Sequence, residues 1–125
     1  MLAHGIDLVE VERIADLLVR HEDRFPERCF TEAERAYCDD RGRRRPEHYA
    51  ARFAAKEAVM KALGTGLRHG ISWTDIEVTR DGAGAPGVRL SGVAQSRAES
   101  LGVRSWLISL THTDRAAMAS VIALG

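Results

Sequence analysis

Asp7 and Glu57 are the two carboxylates in this chain whose surroundings would support chemistry if a fold brought them together. Two hard oxygens from separate elements, completed by phosphate oxygens and water, are what Mg²⁺ takes, because it keeps an octahedral shell and is rarely caged by protein alone. Asp7 follows Gly5 at what reads as a strand end, where a lone aspartate equally serves to cap the next helix. Glu57 lies in a segment with Arg52, Phe53, Lys56, Met60 and Lys61. At helical spacing Phe53, Glu57 and Lys61 form one stripe and Arg52 and Lys56 the next, displaying one carboxylate among three cations. A solvated face laced by Glu57–Lys61 pairing, worth about a few tenths of a kcal/mol, has the same composition.

Beyond Lys61 the chain runs Ala62-Leu63-Gly64-Thr65-Gly66. A lysine beside glycine-freed amides suits phosphate oxygens, and the same residues suit a helix C-cap followed by a turn. Because the helix comes first, this is neither a P-loop nor a dinucleotide fingerprint. His112 stands between two threonines after an apolar run, where an imidazole binds phosphate, moves protons or simply packs. Arg13, Arg20, Arg24 and Arg28 are spaced along a helical segment and its exit, interleaved with Glu12, Asp16, Glu22 and Asp23. They read either as a solvated face or as a docking strip for an acidic partner helix.

The elements that must position these residues follow from periodicity and punctuation. Ala3 to Val9 suits a first strand, and Val11, Ile14, Ala15, Leu17 and Leu18 repeat at helical spacing until Phe25-Pro26 breaks the pattern. Thr31-Glu32-Ala33-Glu34 is a capping box opening a short helix to about Asp39. The basic run Arg41 to Arg45 leads to Pro46, suited to a first helical turn, and Glu47 to Leu63 is free of Gly and Pro, with Gly64 in the C-cap position. Ile76 to Thr79 and Val88 to Leu90 flank a turn-rich loop, Asp81 to Pro86, as two antiparallel strands. A helix over Val93 to Leu101 stops at Gly102, and strands over Trp106 to Leu110 and Ala117 to Leu124 are joined at Thr111 to Asp114. The expected fold is α+β, a long helix against an antiparallel sheet in a single domain spanning residues 1–125.

Composition narrows the function classes. With 125 residues the chain has one domain's worth of core, and 45% hydrophobic with 29% charged residues is globular rather than disordered. Eighteen Lys and Arg balance eighteen Asp and Glu, so a general nucleic-acid or membrane-surface binder, which needs a basic excess, is not expected. No apolar stretch approaches the roughly 20 residues of a membrane span, and MLAHGIDLVE lacks a secretory pattern. Cys29 and Cys38 match neither a disulfide framework nor a zinc spacing, which fits a reducing cytoplasm.

Taken together, Gly5-Ile6-Asp7-Leu8-Val9-Glu10 with Arg13-Ile14, Phe30-Thr31-Glu32-Ala33-Glu34, Arg52-Phe53-Ala54-Ala55-Lys56-Glu57-Ala58 running into Lys61 to Gly66, Gly84-Ala85-Pro86, and Ser109-Leu110-Thr111-His112-Thr113 resemble the holo-acyl-carrier-protein synthases, a branch of the 4′-phosphopantetheinyl transferases. The resemblance spans nearly the whole chain. It implies transfer of the 4′-phosphopantetheine arm of coenzyme A to a serine of an acyl carrier protein in fatty acid biosynthesis, with release of adenosine 3′,5′-bisphosphate. It further implies Mg²⁺ held by Asp7 and Glu57, a serine proton taken by Glu57 or a water that it orients, and Lys61 stabilising charge on phosphate. Arg52, His112, Gly64, Thr65, Gly66 and Pro86 fall on coenzyme-binding positions, with Arg44 a further candidate. Arg13, Arg20 and Arg24 fall where an acidic carrier docks, and a homotrimer with sites between subunits is implied. A transferase serving polyketide or peptide synthase carriers, a non-catalytic coenzyme A-binding trimer, and a Mg²⁺-dependent phosphohydrolase using the same metal pair with water as nucleophile remain the alternatives. Ala3 replaces a glycine often present two residues before Gly5, which loosens the expected strand geometry, and Glu22 and Asp23 dilute the arginine strip.

Overall fold

The computed structural model describes residues 1–68 and 70–125. Strand β1 (Ala3–Glu10) leads directly into α1 (Val11–Arg20), then α2 (Arg24–Cys29) and α3 (Glu32–Asp39). A 3₁₀ turn at Gly42–Arg44 precedes the long helix α4 (Arg45–Leu63), and a second, Trp73–Asp75, precedes the hairpin β2 (Ile76–Arg80) and β3 (Pro86–Leu90). Helix α5 (Gly92–Ser100) and strands β4 (Ser105–His112) and β5 (Ala116–Leu124) complete the chain. β1, β5 and β4 form an antiparallel sheet in that order, separate from the β2–β3 ribbon.

The strand pattern fixes which side chains meet α4. In β1 the buried positions are Gly5 and Val9, with Ala3 and Asp7 partly buried between them, so odd residues face the helix and His4, Ile6 and Leu8 face away. Strand β5 obeys the same rule with Ala117, Ala119, Val121 and Ala123 buried. Small residues on this face let α4 come close. At Gly5 the approach is closest, because a Cβ there would stand 1.9 Å from the Ala58 carbonyl oxygen.

Helix α4 is enclosed rather than one-sided. Twelve of its residues are buried, from Tyr49 through Leu63, among them Arg52 and Lys56. The expectation of three cations displayed around Glu57 is therefore corrected: a helix packed on several sides leaves no solvated stripe at those two positions. Lys56 forms a fully buried pair with Glu34, Nζ to Oε1 2.7 Å, and also donates to the carbonyls of Trp73 and Ile76. Burial pushes its ammonium pKa down and Glu34 pulls it back up. Glu34 was expected as a helix cap, and it is one, with both bonds of the capping box to Thr31 formed. Its second oxygen accepts from the Val78 amide at 2.9 Å, so α3, α4 and β2 meet on one carboxylate.

Two further expectations are corrected. Phe25-Pro26 does not break a helix; it opens α2, where proline in the first turn lacks only an amide that has no intrahelical partner. Asp7 lies in mid-strand rather than at a strand end, and it caps nothing, since Glu10 holds the N-cap position of α1. Among the described residues no helix is long and apolar enough to cross a membrane.

Candidate active site

The sheet brings Asp7 under the last turns of α4. Lys61 Nζ donates to Asp7 Oδ1 at 2.8 Å and to the Ile6 carbonyl at 3.0 Å, bridging strand and helix at residues far apart in sequence. Glu57 is one turn earlier on α4, on the same stripe as Lys61. Its carboxyl pKa is raised, first by burial and then by the charge of Asp7, with Arg13 and Lys61 opposing. Glu57 thus lies near enough to Asp7 for the aspartate's charge to disfavour its ionised form, with Arg13 and Lys61 as the cations that oppose this. Arg13 also lies over the Phe53 ring, 5.5 Å from its centroid, so its side chain turns toward this site as well as along α1.

Asp7 and Glu57 fit a hard divalent cation on the chemistry of their donors. Both offer carboxylate oxygens, and a cation between them would relieve the repulsion that raises Glu57. Among the described residues no group of three or more His, Cys, Asp and Glu is placed to hold a metal. A pair alone suits Mg²⁺, which fills its remaining positions with substrate phosphate oxygens and water.

The glycine turn after Lys61 is a helix terminus. Gly64 adopts φ 74°, its amide donates to the Lys61 carbonyl at 3.1 Å, and the Thr65 amide donates to Met60 at 3.2 Å. These bonds correct the expectation of free amides at Gly64 and Thr65, because the C-cap satisfies the carbonyls that end α4. Thr65 is buried and its hydroxyl bonds the Gly66 carbonyl. Arg97 on α5 donates to the Leu63 carbonyl at 3.2 Å, tying the turn down from outside.

His112, Arg52 and Pro86 gather elsewhere. His112 ends β4, with Nδ1 3.4 Å from Glu47 Oε1 and its ring 5.1 Å from that of His48. Along α4, His48 and Glu57 are separated by about 14 Å of helical rise, so one chain does not bring His112 to the carboxylate pair. Arg52 is 1% exposed, and its guanidinium lies over the Tyr37 ring at 4.2 Å. Arg41 and Arg80 lie over the same ring at 4.4 and 4.8 Å. Pro86 pairs with Arg80 in the β2–β3 register, which puts it at the same end of the hairpin. Burial, then Arg52 and His112, then Arg41 and Arg80, lower the His48 pKa to about 4, so this imidazole is neutral near pH 7. Tyr37, His48 and Arg80 escaped the sequence reading, and Arg41 entered it only as part of a basic run. The basic run beginning at Arg41, one helical turn after Tyr37, was the only local signal.

Arg20 and Arg24 mark the other side of α1 and α2. Arg20 is exposed and 3.9 Å from Asp16. Arg24 rims an open groove of about 390 Å³ whose apolar wall includes Leu17, Phe25, Phe53 and Trp73. Phe53 and Trp73 stack there with centroids 4.8 Å apart. Arg44 lies exposed in the 3₁₀ turn before α4.

Comparison with known proteins adds to this geometry. The family model of the 4′-phosphopantetheinyl transferase superfamily matches residues 3–119. A holo-[acyl-carrier-protein] synthase of Solibacter usitatus is 50% identical over 118 residues, covering 94% of each chain. That of Koribacter versatilis is 48% identical, covering 98% of this chain and 97% of its own. Among solved structures, the holo-[acyl-carrier-protein] synthase of Neisseria meningitidis superposes with TM-score 0.87 at 31% identity, covering 100% of this chain and 99% of its own. That of Helicobacter pylori in complex with coenzyme A gives TM-score 0.84 at 30% identity, covering 97% and 99%.

Proposed function

This chain belongs to the holo-[acyl-carrier-protein] synthases of the 4′-phosphopantetheinyl transferase superfamily, and from that premise we propose that it moves phosphopantetheine from coenzyme A to a serine of an acyl carrier protein in fatty acid biosynthesis. The observation that carries the reading is the convergence of Asp7, Glu57 and Lys61 on one point between β1 and α4. In the reaction the serine oxygen forms a bond to the phosphorus bearing the pantetheine arm. The diphosphate P–O bond breaks, and adenosine 3′,5′-bisphosphate leaves with the electron pair. Asp7 and Glu57 would hold Mg²⁺, which when bound supplies charge neutralisation on the diphosphate. Glu57, half-buried beside Asp7, accepts the serine proton directly or through a water that it orients. Lys61, anchored by Asp7 and the Ile6 carbonyl, sets an ammonium where negative charge builds on phosphate oxygens.

The coenzyme's remaining contacts are proposed at Arg52, His112 and Pro86, with Gly64, Thr65 and Gly66 shaping the wall beside Lys61. The separation of the two residue groups along α4 favours a site built by neighbouring subunits of a homotrimer. The outer face of the three-stranded sheet supports this: Ile6, Leu8, Leu107 and Met118 are 49, 63, 56 and 37% exposed and lie on one face, with Leu8 opposite Met118 and Leu107 opposite Ile122. An apolar patch of that kind marks an interface. Sedimentation is expected to give three times the chain mass, and a single-chain mass would overturn the assembly.

Arg13, Arg20 and Arg24 are proposed to meet the acidic carrier, whose charge would steer docking. Arg24→Glu is expected to raise the KM for carrier about tenfold, a loss of ~1.4 kcal/mol, while coenzyme A affinity stays unchanged. A parallel loss of coenzyme affinity would remove Arg24 from the docking face.

The reaction is tested by intact mass. Protein, apo carrier and coenzyme A are combined with Mg²⁺ and, separately, with chelator. A metal-dependent gain of one phosphopantetheine with release of adenosine bisphosphate is expected. Bound coenzyme with no change in carrier mass would favour a non-catalytic coenzyme-binding protein. Equal rates on polyketide or peptide synthase carriers would move the physiological role to those pathways.

A further inference from the structure

We propose that His4 makes the assembly of this protein sensitive to acid: on taking a proton it repels the neighbouring subunit from the outer face of the sheet, and the site shared between subunits comes apart. The inference rests on the assembly read above and adds its regulation.

The outer face of β1, β5 and β4 is apolar over most of its width. His4 stands opposite Ile122 and Ile122 opposite Leu107, so the imidazole forms one row with two aliphatic side chains. Ile6 and Leu8 follow on the same side of β1, both exposed. A contiguous apolar surface of this kind is an interaction site. Its occupant is a second copy of this chain, because the residues assigned to the metal and those assigned to the coenzyme sit apart along α4 and one chain leaves the site incomplete.

His4 is the misfit on that face. It is exposed, on the opposite side of the strand from Asp7, and its Nε2 lies 3.1 Å from the Ser120 hydroxyl oxygen. A neutral ring makes that bond in either tautomer, so it can be covered beside aliphatic groups. An imidazolium cannot be covered as cheaply, since loss of water disfavours the charged form. In a closed ring of identical subunits, moreover, every copy brings the same charge to the same contact.

Little on this face offsets that charge. None of the outward positions of β5 or β4 is ionisable. On β1 the other outward ionisable group is Glu10, six residues along the strand and about 20 Å away. At the end of the sheet nearer His4 stand Arg104, whose amide bonds the Leu124 carbonyl, and the chain ends Met1 and Gly125, of opposite sign. Among the described residues none of these bonds the His4 ring, whose side-chain partner is Ser120.

The sign follows from proton counting. Imidazole is the side chain that ordinarily changes charge between pH 5 and 8. Free chains hold a proton at His4 in acid and shed it on joining, so falling pH favours the free chains. With one proton per subunit in a trimer, the dissociation constant rises by up to about a thousandfold per pH unit.

Sedimentation at low micromolar concentration reads the effect at about pH 8 and about pH 5, the two ends of the imidazole range. Wild-type protein is expected at three times the chain mass in the first and at the single-chain mass in the second, with circular dichroism reporting a folded chain in both. His4→Gln, which still offers Ser120 a hydrogen-bond partner but does not titrate, should stay assembled at both, and so should His4→Leu. In the carrier assay at the lower pH, wild-type activity per chain should rise about fivefold or more over a tenfold increase in protein concentration, as reassembly restores the shared site; that of His4→Gln should stay flat. Wild-type protein assembled at both pH values, or His4→Gln coming apart in acid as wild type does, would overturn the proposal. A single-chain mass for wild type at the higher pH would overturn the assembly itself and this inference with it, whereas an assembled protein that leaves the carrier unmodified would sink the transferase reading alone.

Discussion

Glu57→Gln and Asp7→Asn are each expected to lower carrier modification by on the order of a hundred- to a thousandfold, the scale on which removing one preorganised charge from a transition state registers. The fold should not suffer with the reaction. Burial and the charge of Asp7 both disfavour the charged form of Glu57, so a neutral isostere relieves them, and the thermal midpoint of Glu57→Gln should hold or rise. Such inverse movement of stability and activity is characteristic of groups held for chemistry rather than packing. Asp7→Asn differs in one respect: it loses an ion pair to Lys61, 2.8 Å away, in which the lysine side chain is 55% and the aspartate 15% exposed, so a modest loss of stability is expected beside the loss of activity. Modification surviving either change at saturating Mg²⁺ would end the assignment of these carboxylates to the metal.

Gly5→Ala is expected to destabilise the protein by about 3 kcal/mol or more, the upper end of what overpacking costs. A methyl at this position would stand 1.9 Å from the Ala58 carbonyl oxygen and 2.8 Å from its carbon. Both are backbone atoms of α4, which no rotamer can move aside. β1 would have to lift from the helix, carrying Asp7 with it, so the fraction that folds should also transfer slowly. Thermal or urea denaturation reads the first effect and the carrier assay the second. A midpoint within a degree or two of wild type would show that β1 and α4 do not approach this closely.

Much of this architecture was legible along the chain. The capping box at Thr31 and Glu34, proline in the first turn of α4, the left-handed Gly64 and the β2–β3 hairpin all rest on interactions within a few residues of each other, and sequence displays those. The Asp7 and Glu57 pairing was legible from residue type, though not its geometry. What escaped was long-range. Arg52 and Lys56 look like surface residues until α4 is enclosed, and the carboxylate that makes burial of Lys56 tolerable is Glu34, on another helix. Gly5 reads as a weak point in a strand pattern; that it marks a near-collision with Ala58 depends on how sheet and helix dock. Tyr37 acquires meaning only when a loop, a helix and a strand each bring an arginine to it. Gly64 and Thr65 show the converse, for a phosphate loop and a helix cap share one composition, and it is the bonding that displays the cap.

The Lys56–Glu34 pair limits how this sequence can vary. Removing either partner leaves a charge stranded in the core, at about 3–5 kcal/mol, against roughly 5–15 kcal/mol for the whole stability of a small domain. Exchange for two apolar residues is energetically open, but every single-step route passes through the stranded intermediate. Positions 34 and 56 are thus locked to one another across descent, whereas the partly exposed Arg45 and Asp39, joined at 2.7 Å, are free to drift one at a time.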